Sequence, residues 1–338
     1  GQKGEYDISS SQDEIIIQVC MKKALKPVAF LLVLICLLMV TSYLVTPKGY
    51  ENVYDIQLVN RKINAVSQEK ENTLDVLFTG DSEASNTFSP FQYWKEQGIA
   101  SYNLGGSAQR LNDCYTVLED VLKHQKPKLL VLEANTLFRK NAVYNQDDSV
   151  LMWAEQLFPV LHHHNIYKTI NLSVNLLGAT KENAYADQCK GYYARVRIRP
   201  YRGSDQYMKT NKRDTTLYPE TLEYFEKIAK LCKENNVELI VVSVPSPKNW
   251  SDARHDTIQE LCNQYDVTYY DLNKLDNVLA LDWTTDTLDR GDHLNMNGSK
   301  KVNAYFSEIL KEKYHIPDHR GEADYAIWDK QEAELNLY

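Results

Sequence analysis

The sequence has no excess of basic charge, no internal repeat and no low-complexity tract. Its 38 lysines and arginines are outnumbered by 46 aspartates and glutamates, which gives a formal net charge of −8. That balance lacks the basic footprint of a nucleic-acid-binding protein, so no nucleic-acid partner is predicted. With 338 residues, 43% of them hydrophobic and 25% charged, the chain has the size and composition of one large globular domain or two small ones.

Charged residues are also missing from one continuous stretch, Pro27 to Thr46. A helix of about twenty apolar residues spans a bilayer core of roughly 30 Å. The stretch lacks the polar stripe of a helix in a soluble core, and it is too long and too far behind a polar N-terminus for a typical cleaved signal peptide. We therefore predict a transmembrane helix over residues 27–46.

Lysines mark one side of this predicted span. Lys22, Lys23 and Lys26 precede it, whereas Lys48 is the only nearby base after it. The positive-inside rule places residues 1–26 in the cytoplasm and everything after Pro47 outside. The chain is thus predicted to be a single-pass membrane protein whose main domain is extracytoplasmic and is preceded by a stalk over residues 47–70.

None of the six cysteines has the C-x-x-C spacing of a metal site. Cys20 and Cys36 lie before and within the predicted span. The other four would face an oxidising side and could form up to two disulfides: Cys114, Cys189, Cys232 and Cys262. Cys232 and Cys262 fall on apolar faces of predicted helices, which favours buried free thiols.

A run of three histidines, His162 to His164, is the only other sequence feature that invites a metal. Three consecutive side chains point in different directions on a helix or strand and cannot close a tetrahedral site alone. No metal ion and no other cofactor is predicted.

Beyond the stalk, strand and helix patterns alternate. The predicted strands are 76–78, 100–104, 128–132, 237–244 and 267–271, and the main predicted helices are 111–122, 219–235, 252–265 and 297–314. Residues 141–213 are less regular and are expected to be an insertion or lid. Such alternation predicts an α/β fold with a mostly parallel sheet covered by helices on both faces.

Three polar or glycine residues fall just past predicted strand ends: Ser82, Gly105 and Asn135. The carboxyl ends of parallel strands share one edge of the sheet, where open α/β folds bind ligands. Ser82, in Gly80-Asp81-Ser82, is the candidate nucleophile, although the same tripeptide is common in ordinary turns. The Ser82 amide, the Gly105 amide and the Asn135 side chain are the candidate oxyanion donors.

A second segment, Asp289 to Asn295, precedes the last predicted helix. His293 is the candidate general base, because a neutral imidazole accepts a hydroxyl proton near pH 7. Either Asp289 or Asp292 could orient its ring, and Asp292 could instead cap the helix that follows. Adjacent side chains on an extended loop diverge, and Gly291 permits a turn, so Asp289 is favoured.

Together these segments resemble the SGNH, or GDSL-type, hydrolase superfamily. Gly80-Asp81-Ser82 resembles its first sequence block, Asn103 to Gly106 its second, and Glu133 to Thr136 its third, of which only Asn135 is kept. Asp289 to His293 stands where the family has Asp-x-x-His, with one extra residue. The resemblance implies a three-layer α/β/α sandwich of flavodoxin-like type over residues 71–317, followed by a C-terminal extension over 318–338.

The chain is similar in particular to a bacterial subgroup with one N-terminal membrane span. Asn86 to Pro90, the segment 127–133 and Asp292 to Gly298 carry this similarity. It implies a serine acyltransferase or acylesterase that acts on a cell-surface glycan or polymer with a membrane-bound O-acyltransferase, as in D-alanylation of teichoic acid. The alternative is a non-catalytic, membrane-tethered protein that binds the polymer or the acyltransferase.

Overall fold

The computed structural model describes residues 6–45, 62–63, 65–139, 154, 157–158, 160–161 and 188–337. Its contacts divide the chain into two compact units. One contains residues 1–53 and 146–179, and the other contains residues 54–145 and 180–338. The histidine run at 162–164 and most of the predicted insertion lie outside the described residues.

The first unit contains a long helix, α1 (Tyr6–Val45). Its segment Leu25–Leu44 has a mean hydropathy of 2.5, and only 6% of the segment is buried. A soluble core helix would bury such a surface, because exposed apolar area is costly in water. The segment has the length and composition of a single-pass membrane anchor or of a signal sequence.

The second unit is built on a five-stranded sheet. Its strands are β1 (Val76–Thr79), β2 (Ser101–Asn103), β3 (Leu129–Glu133), β4 (Glu238–Ser243) and β5 (Thr268–Asp271). They lie in the order β2-β1-β3-β4-β5, and every neighbouring pair is parallel. The predicted α/β class and its parallel sheet are confirmed.

Helices cover the sheet on both faces. They are α2 (Ser82–Thr87), α3 (Pro90–Gln97), α4 (Leu111–Val121), α5 (Tyr207–Thr210), α6 (Pro219–Glu234), α7 (Asp252–Tyr265), α8 (Asp276–Leu279), α9 (Met296–Glu312) and α10 (Ala326–Leu335). Single 3-10 turns occur at Ala134–Phe138, Leu272–Leu275 and Ala323–Tyr325. Leu77 and Leu130 face a core shared with α4, α6 and α7, whereas Phe78 and Val131 face one shared with α2 and α9. Successive residues of a strand therefore pack into two separate cores, one on each face of the sheet.

The globular unit begins before residue 71, which corrects the predicted end of the stalk. Lys62 is fully buried and its Nζ donates to the carbonyl of Asn103 at 2.9 Å, while Val66 lies in the core beside the sheet. The C-terminal extension is packed on the same unit, because the Trp328 ring stacks on Trp94 at 5.2 Å.

The four cysteines of this unit are buried: Cys114, Cys189, Cys232 and Cys262. Cys114, Cys232 and Cys262 are free thiols. Burial raises the pKa of the Cys232 and Cys262 thiols to about 12, so both stay protonated and unreactive at neutral pH. They pack as small apolar side chains, as the helical patterns predict.

Candidate active site

A tight connection from β1 to α2 positions Ser82. Gly80 has φ of +142°, which L side chains rarely adopt, and a Cβ there would lie 2.7 Å from the Cβ of Glu133. Asp81 then caps the helix, because its Oδ1 accepts from the amide of Glu83 at 2.9 Å. Ser82 is consequently the first residue of α2, at the carboxyl edge of the sheet.

A hairpin-like loop before α9 positions His293. Thr287 and Leu294 form an isolated antiparallel bridge, and the Oγ1 of Thr287 accepts from the amide of Gly291 at 2.7 Å. The Asn295 side chain caps α9 by accepting hydrogen bonds from the amides of Asn297 and Gly298. Both ends of the loop are thus fixed by hydrogen bonds, which hold the imidazole at the sheet edge.

The structure brings Ser82, His293 and Asp289 together in one chain of hydrogen bonds. The Oγ of Ser82 lies 2.8 Å from Nε2 of His293, and Nδ1 of His293 lies 2.8 Å from Oδ2 of Asp289. The other oxygen of Asp289 accepts from the amide of His293 at 2.8 Å. A carboxylate bonded to Nδ1 fixes the tautomer in which Nε2 is free to accept a proton from the serine.

Asp292 points to a different set of partners. Its Oδ2 accepts from Nζ of Lys248 at 2.8 Å, and its Oδ1 accepts from Nδ2 of Asn249 at 2.7 Å. Burial opposes its charge, but these two hydrogen bonds and the positive charges of His293 and Lys248 together outweigh burial and lower the pKa of Asp292. Of the two candidate carboxylates, Asp289 is the one in contact with the His293 ring.

Two of the predicted oxyanion donors are already engaged. The amide of Gly105 donates to Oδ1 of Asn103 at 2.9 Å, and a Cβ at Gly105 would lie 2.7 Å from the Cβ of Ala84. This corrects its predicted role, because Gly105 permits close packing against α2 and its hydrogen is not free for a substrate. Among the described residues, the Ser82 amide donates no hydrogen bond to a backbone carbonyl outside its own helix.

Asn135 also has other partners. Its Nδ2 donates to Oδ2 of Asp81 at 2.8 Å, and its Oδ1 accepts from Nη1 of Arg254 at 2.9 Å. It lines a second, smaller cavity rather than the one that contains Ser82. The role of Asn135 in this geometry is therefore to hold Asp81, directly before Ser82, and its predicted role as an oxyanion donor does not fit this arrangement.

Two buried carboxyl groups behind Ser82 were not predicted. Burial raises the pKa of Glu83 to about 8, and burial with the nearby charges of Asp81 and Glu83 raises the pKa of Glu133 well above its usual range. Burial alone would lower the pKa of His293, but Glu83, Asp289 and Asp292 outweigh it and raise that pKa to about 9. A single sequence gives no signal for either carboxyl, because glutamate is usually exposed.

Ser82 and His293 line a cavity of about 580 Å³. Tyr193, Arg195 and Arg197 form part of its wall, and Asp289 is the only carboxylate among its described lining residues. These wall residues belong to the C-terminal part of the irregular segment 141–213 that was predicted as an insertion or lid, where no motif marked them. The volume lies in the range of pockets that bind small organic groups.

Glu83, Asp292 and His293 also satisfy the geometric condition for a metal site, with ligand atoms within 4.8 Å of one another. Both ring nitrogens of His293 are already bonded, to Ser82 and to Asp289. A cation at this place would have to break one of those bonds. The hydrogen-bond network accounts for the cluster without a metal ligand set.

No family model matches the chain, and no curated protein matches it. Solved structures that are similar include a GDSL-like lipase from Bacteroides thetaiotaomicron, at 13% identity over 75% of this chain and 98% of that chain, with a TM-score of 0.37. A psychrotrophic esterase from Pseudoalteromonas is 9% identical over 71% and 98%, with a TM-score of 0.38. A lipase/acylhydrolase from Enterococcus faecalis is 13% identical over 71% and 96%, with a TM-score of 0.36. At such identities and scores, the similarity does not identify the reaction of this chain.

Proposed function

We propose that this chain is a membrane-anchored serine acylesterase or O-acyltransferase of the SGNH type. The observation that carries the proposal is the hydrogen-bonded series from Ser82 through His293 to Asp289, at the wall of a cavity of about 580 Å³. Nucleophile, base and orienting carboxylate are the three parts that acyl transfer through a serine requires.

In the first half-reaction, Oγ of Ser82 attacks the acyl carbonyl and its proton moves to Nε2 of His293. The tetrahedral intermediate collapses when that proton passes to the leaving alcohol, which leaves the acyl group on Ser82. In the second half-reaction, water or an acceptor hydroxyl gives its proton to His293 and attacks the acyl carbon. The bond between the acyl carbon and Oγ of Ser82 then breaks, and His293 returns the proton to Oγ. Water yields hydrolysis, and a sugar or polymer hydroxyl yields transfer.

Two features of the site support these proton transfers. Asp289 stabilises the imidazolium that forms when His293 takes the serine proton, since Oδ2 of Asp289 lies 2.8 Å from Nδ1 of His293. The amide of Ser82 is the donor best placed for the developing oxyanion, and Ser107 lines the same cavity. Losing one such donor typically costs about 3 kcal/mol in the barrier.

The apolar helix and the charge of the cavity wall support a proposal for the setting of the reaction. The apolar segment Leu25–Leu44 would anchor the chain, and the lysines before it would keep the N-terminus in the cytoplasm. Arg195 and Arg197 in the cavity wall favour a substrate that carries negative charge. On the resemblance to the bacterial subgroup with one membrane span, we propose a cell-surface glycan or polymer as acceptor and a membrane-bound O-acyltransferase as the partner that supplies the acyl group.

The full-length chain in detergent tests the enzymatic part directly. We expect release of p-nitrophenol from its acetate ester, and loss of this activity in Ser82→Ala. Activity that survives this substitution would exclude Ser82 as the nucleophile. A folded protein with no esterase activity would favour the alternative, a non-catalytic polymer-binding or acyltransferase-binding protein.

A further inference from the structure

A second cavity at the same sheet edge has no role in the proposed reaction. Its volume is about 190 Å³, and its lining residues are Asn135, Phe138, Arg139, Arg213, Asn249 and Arg254. Three of these six residues are arginines, and none of the described lining residues is an acid. The cavity therefore concentrates positive charge in a protein whose net charge is −8.

Arg254, in the first turn of α7, is the buried member of this group. It is only 8% exposed, and its guanidinium donates to three neutral acceptors: Oδ1 of Asn135 and the carbonyls of Asn249 and Asp214, each at 2.9 Å. Among the described residues, no carboxylate oxygen lies within 4.0 Å of it. A buried charge without an ion pair costs free energy, and this guanidinium makes no ion-pair contact with a carboxylate in the described part of the chain.

The two other arginines differ in how their charge is balanced. Arg139 follows the turn after β3, and its Nε donates to Oδ2 of Asp81 at 2.6 Å, which neutralises it. Arg213 is exposed, and its Nε donates to the carbonyl of Lys248, a neutral acceptor. The carboxylates of Asp214, Glu133 and Asp81 stabilise the charge of Arg254 only in part. Burial and the like charge of Arg213 still lower the pKa of Arg254 to about 10, so Arg254 and Arg213 repel each other. An anion between them would relieve both the repulsion and the desolvation cost.

We propose that this cavity binds a phosphoryl group, either as free phosphate or as part of a phosphate ester. Guanidinium groups bind oxyanions through paired N–H donors, and three of them from separate segments suit an anion with several oxygens better than a carboxylate with two. The cavity is smaller than the roughly 300 Å³ at which pockets begin to enclose drug-sized ligands, and it therefore fits a group of phosphate size.

The cavity is connected to the Ser82 site through two asparagines. Asn135 bonds Arg254 on one side and Asp81 on the other. Asn249 accepts from Arg254 through its carbonyl and donates through Nδ2 to Glu83 and Asp292. A bound phosphoryl group would thus lie next to the residues that hold Ser82 and the His293 loop. Its binding does not depend on whether Ser82 reacts.

Calorimetric titration of the full-length chain in detergent with inorganic phosphate tests the proposal. We expect saturable binding at one site per chain, weakened by about tenfold or more in Arg213→Gln because a charged hydrogen bond is lost. Arg213 is exposed, so this variant should keep the fold, which circular dichroism checks. Arg202→Gln is the matched control, because Arg202 is also exposed and lines neither cavity.

Three further ligands distinguish the sources of the phosphoryl group. If inorganic phosphate binds most tightly, the ligand is a free ion. If glycerol 3-phosphate binds most tightly, the ligand is a phosphomonoester, and if dimethyl phosphate does, it is a phosphodiester. Acetate should bind more weakly than all three. The proposal is overturned if phosphate shows no saturation in the millimolar range, if acetate binds equally well, or if Arg202→Gln weakens binding as much as Arg213→Gln does.

Discussion

The Oγ of Ser82 lies 2.8 Å from Nε2 of His293, although the two residues are separated by 211 positions in the chain. Ser82 is fixed by the connection from β1 to α2, and His293 by a loop that is tied at both ends before α9. The contact is thus produced by two independently stabilised segments that meet at the carboxyl edge of the sheet. Such positioning favours a reactive serine over a solvated turn residue.

The first prediction separates the two aspartates. Asp289→Asn should lower kcat for ester hydrolysis by on the order of 10³ to 10⁴, because the amide no longer fixes the reactive tautomer of His293. Asp292→Asn should change kcat by less than about tenfold, since Asp292 bonds Lys248 and Asn249 instead. Steady-state kinetics of both variants make the comparison, and a larger loss in Asp292→Asn would reverse the assignment.

The second prediction concerns pH. His293 accepts a proton only when neutral, and its pKa is raised to about 9, so kcat/KM should rise with pH up to the alkaline range. Glu83→Gln removes one carboxylate that raises this pKa and should move the rising limb to lower pH. The exposed Glu312→Gln on α9 is the matched control and should leave the profile unchanged. Superimposable profiles for Glu83→Gln and wild type would contradict the electrostatic account.

The third prediction concerns stability. Glu133 is buried with a raised pKa, so the folded chain holds a proton that the unfolded chain releases above its ordinary pKa of 4.5. Stability should therefore fall as pH rises above that value, by at most about 1.4 kcal/mol per pH unit for one proton. Glu133→Gln keeps an acceptor for the Asn135 amide and should flatten this dependence. Thermal unfolding of the full-length chain at acidic and alkaline pH measures it; an equally steep decline in the variant would argue against a protonated Glu133.

Much of this architecture could be predicted from the sequence, and some of the site could not. Apolar runs such as Leu129 to Leu132 predict strands buried on both faces, and their ends locate Ser82. The role of Gly105 was mispredicted because its amide is bonded to a side chain two residues earlier, Asn103, and backbone donors carry no signal in sequence. Arg254 was missed for another reason, since its partners come from distant segments and meet only in the folded chain.

The fourth prediction concerns substrate charge. Arg197 lines the Ser82 cavity, and among the described residues it forms no ion pair. Arg197→Gln should raise KM for an ester that carries a carboxylate by roughly two- to fivefold, the value of one exposed charge contact. KM for a neutral acetate ester should stay close to wild type, which serves as the internal control. Equal changes in KM for both esters would show that Arg197 affects the shape of the cavity and does not attract the negative charge of the substrate.

The most direct measurement of the central claim is labelling of the full-length chain with a fluorophosphonate, followed by peptide mass spectrometry. An activated serine reacts with this probe, whereas an ordinary serine does not. We expect one modified residue, Ser82, with labelling abolished in Ser82→Ala and retained in Ser204→Ala, an exposed serine outside the cavity. A folded wild-type chain that remains unlabelled, or that is labelled at another serine, would contradict the assignment of Ser82 as the nucleophile.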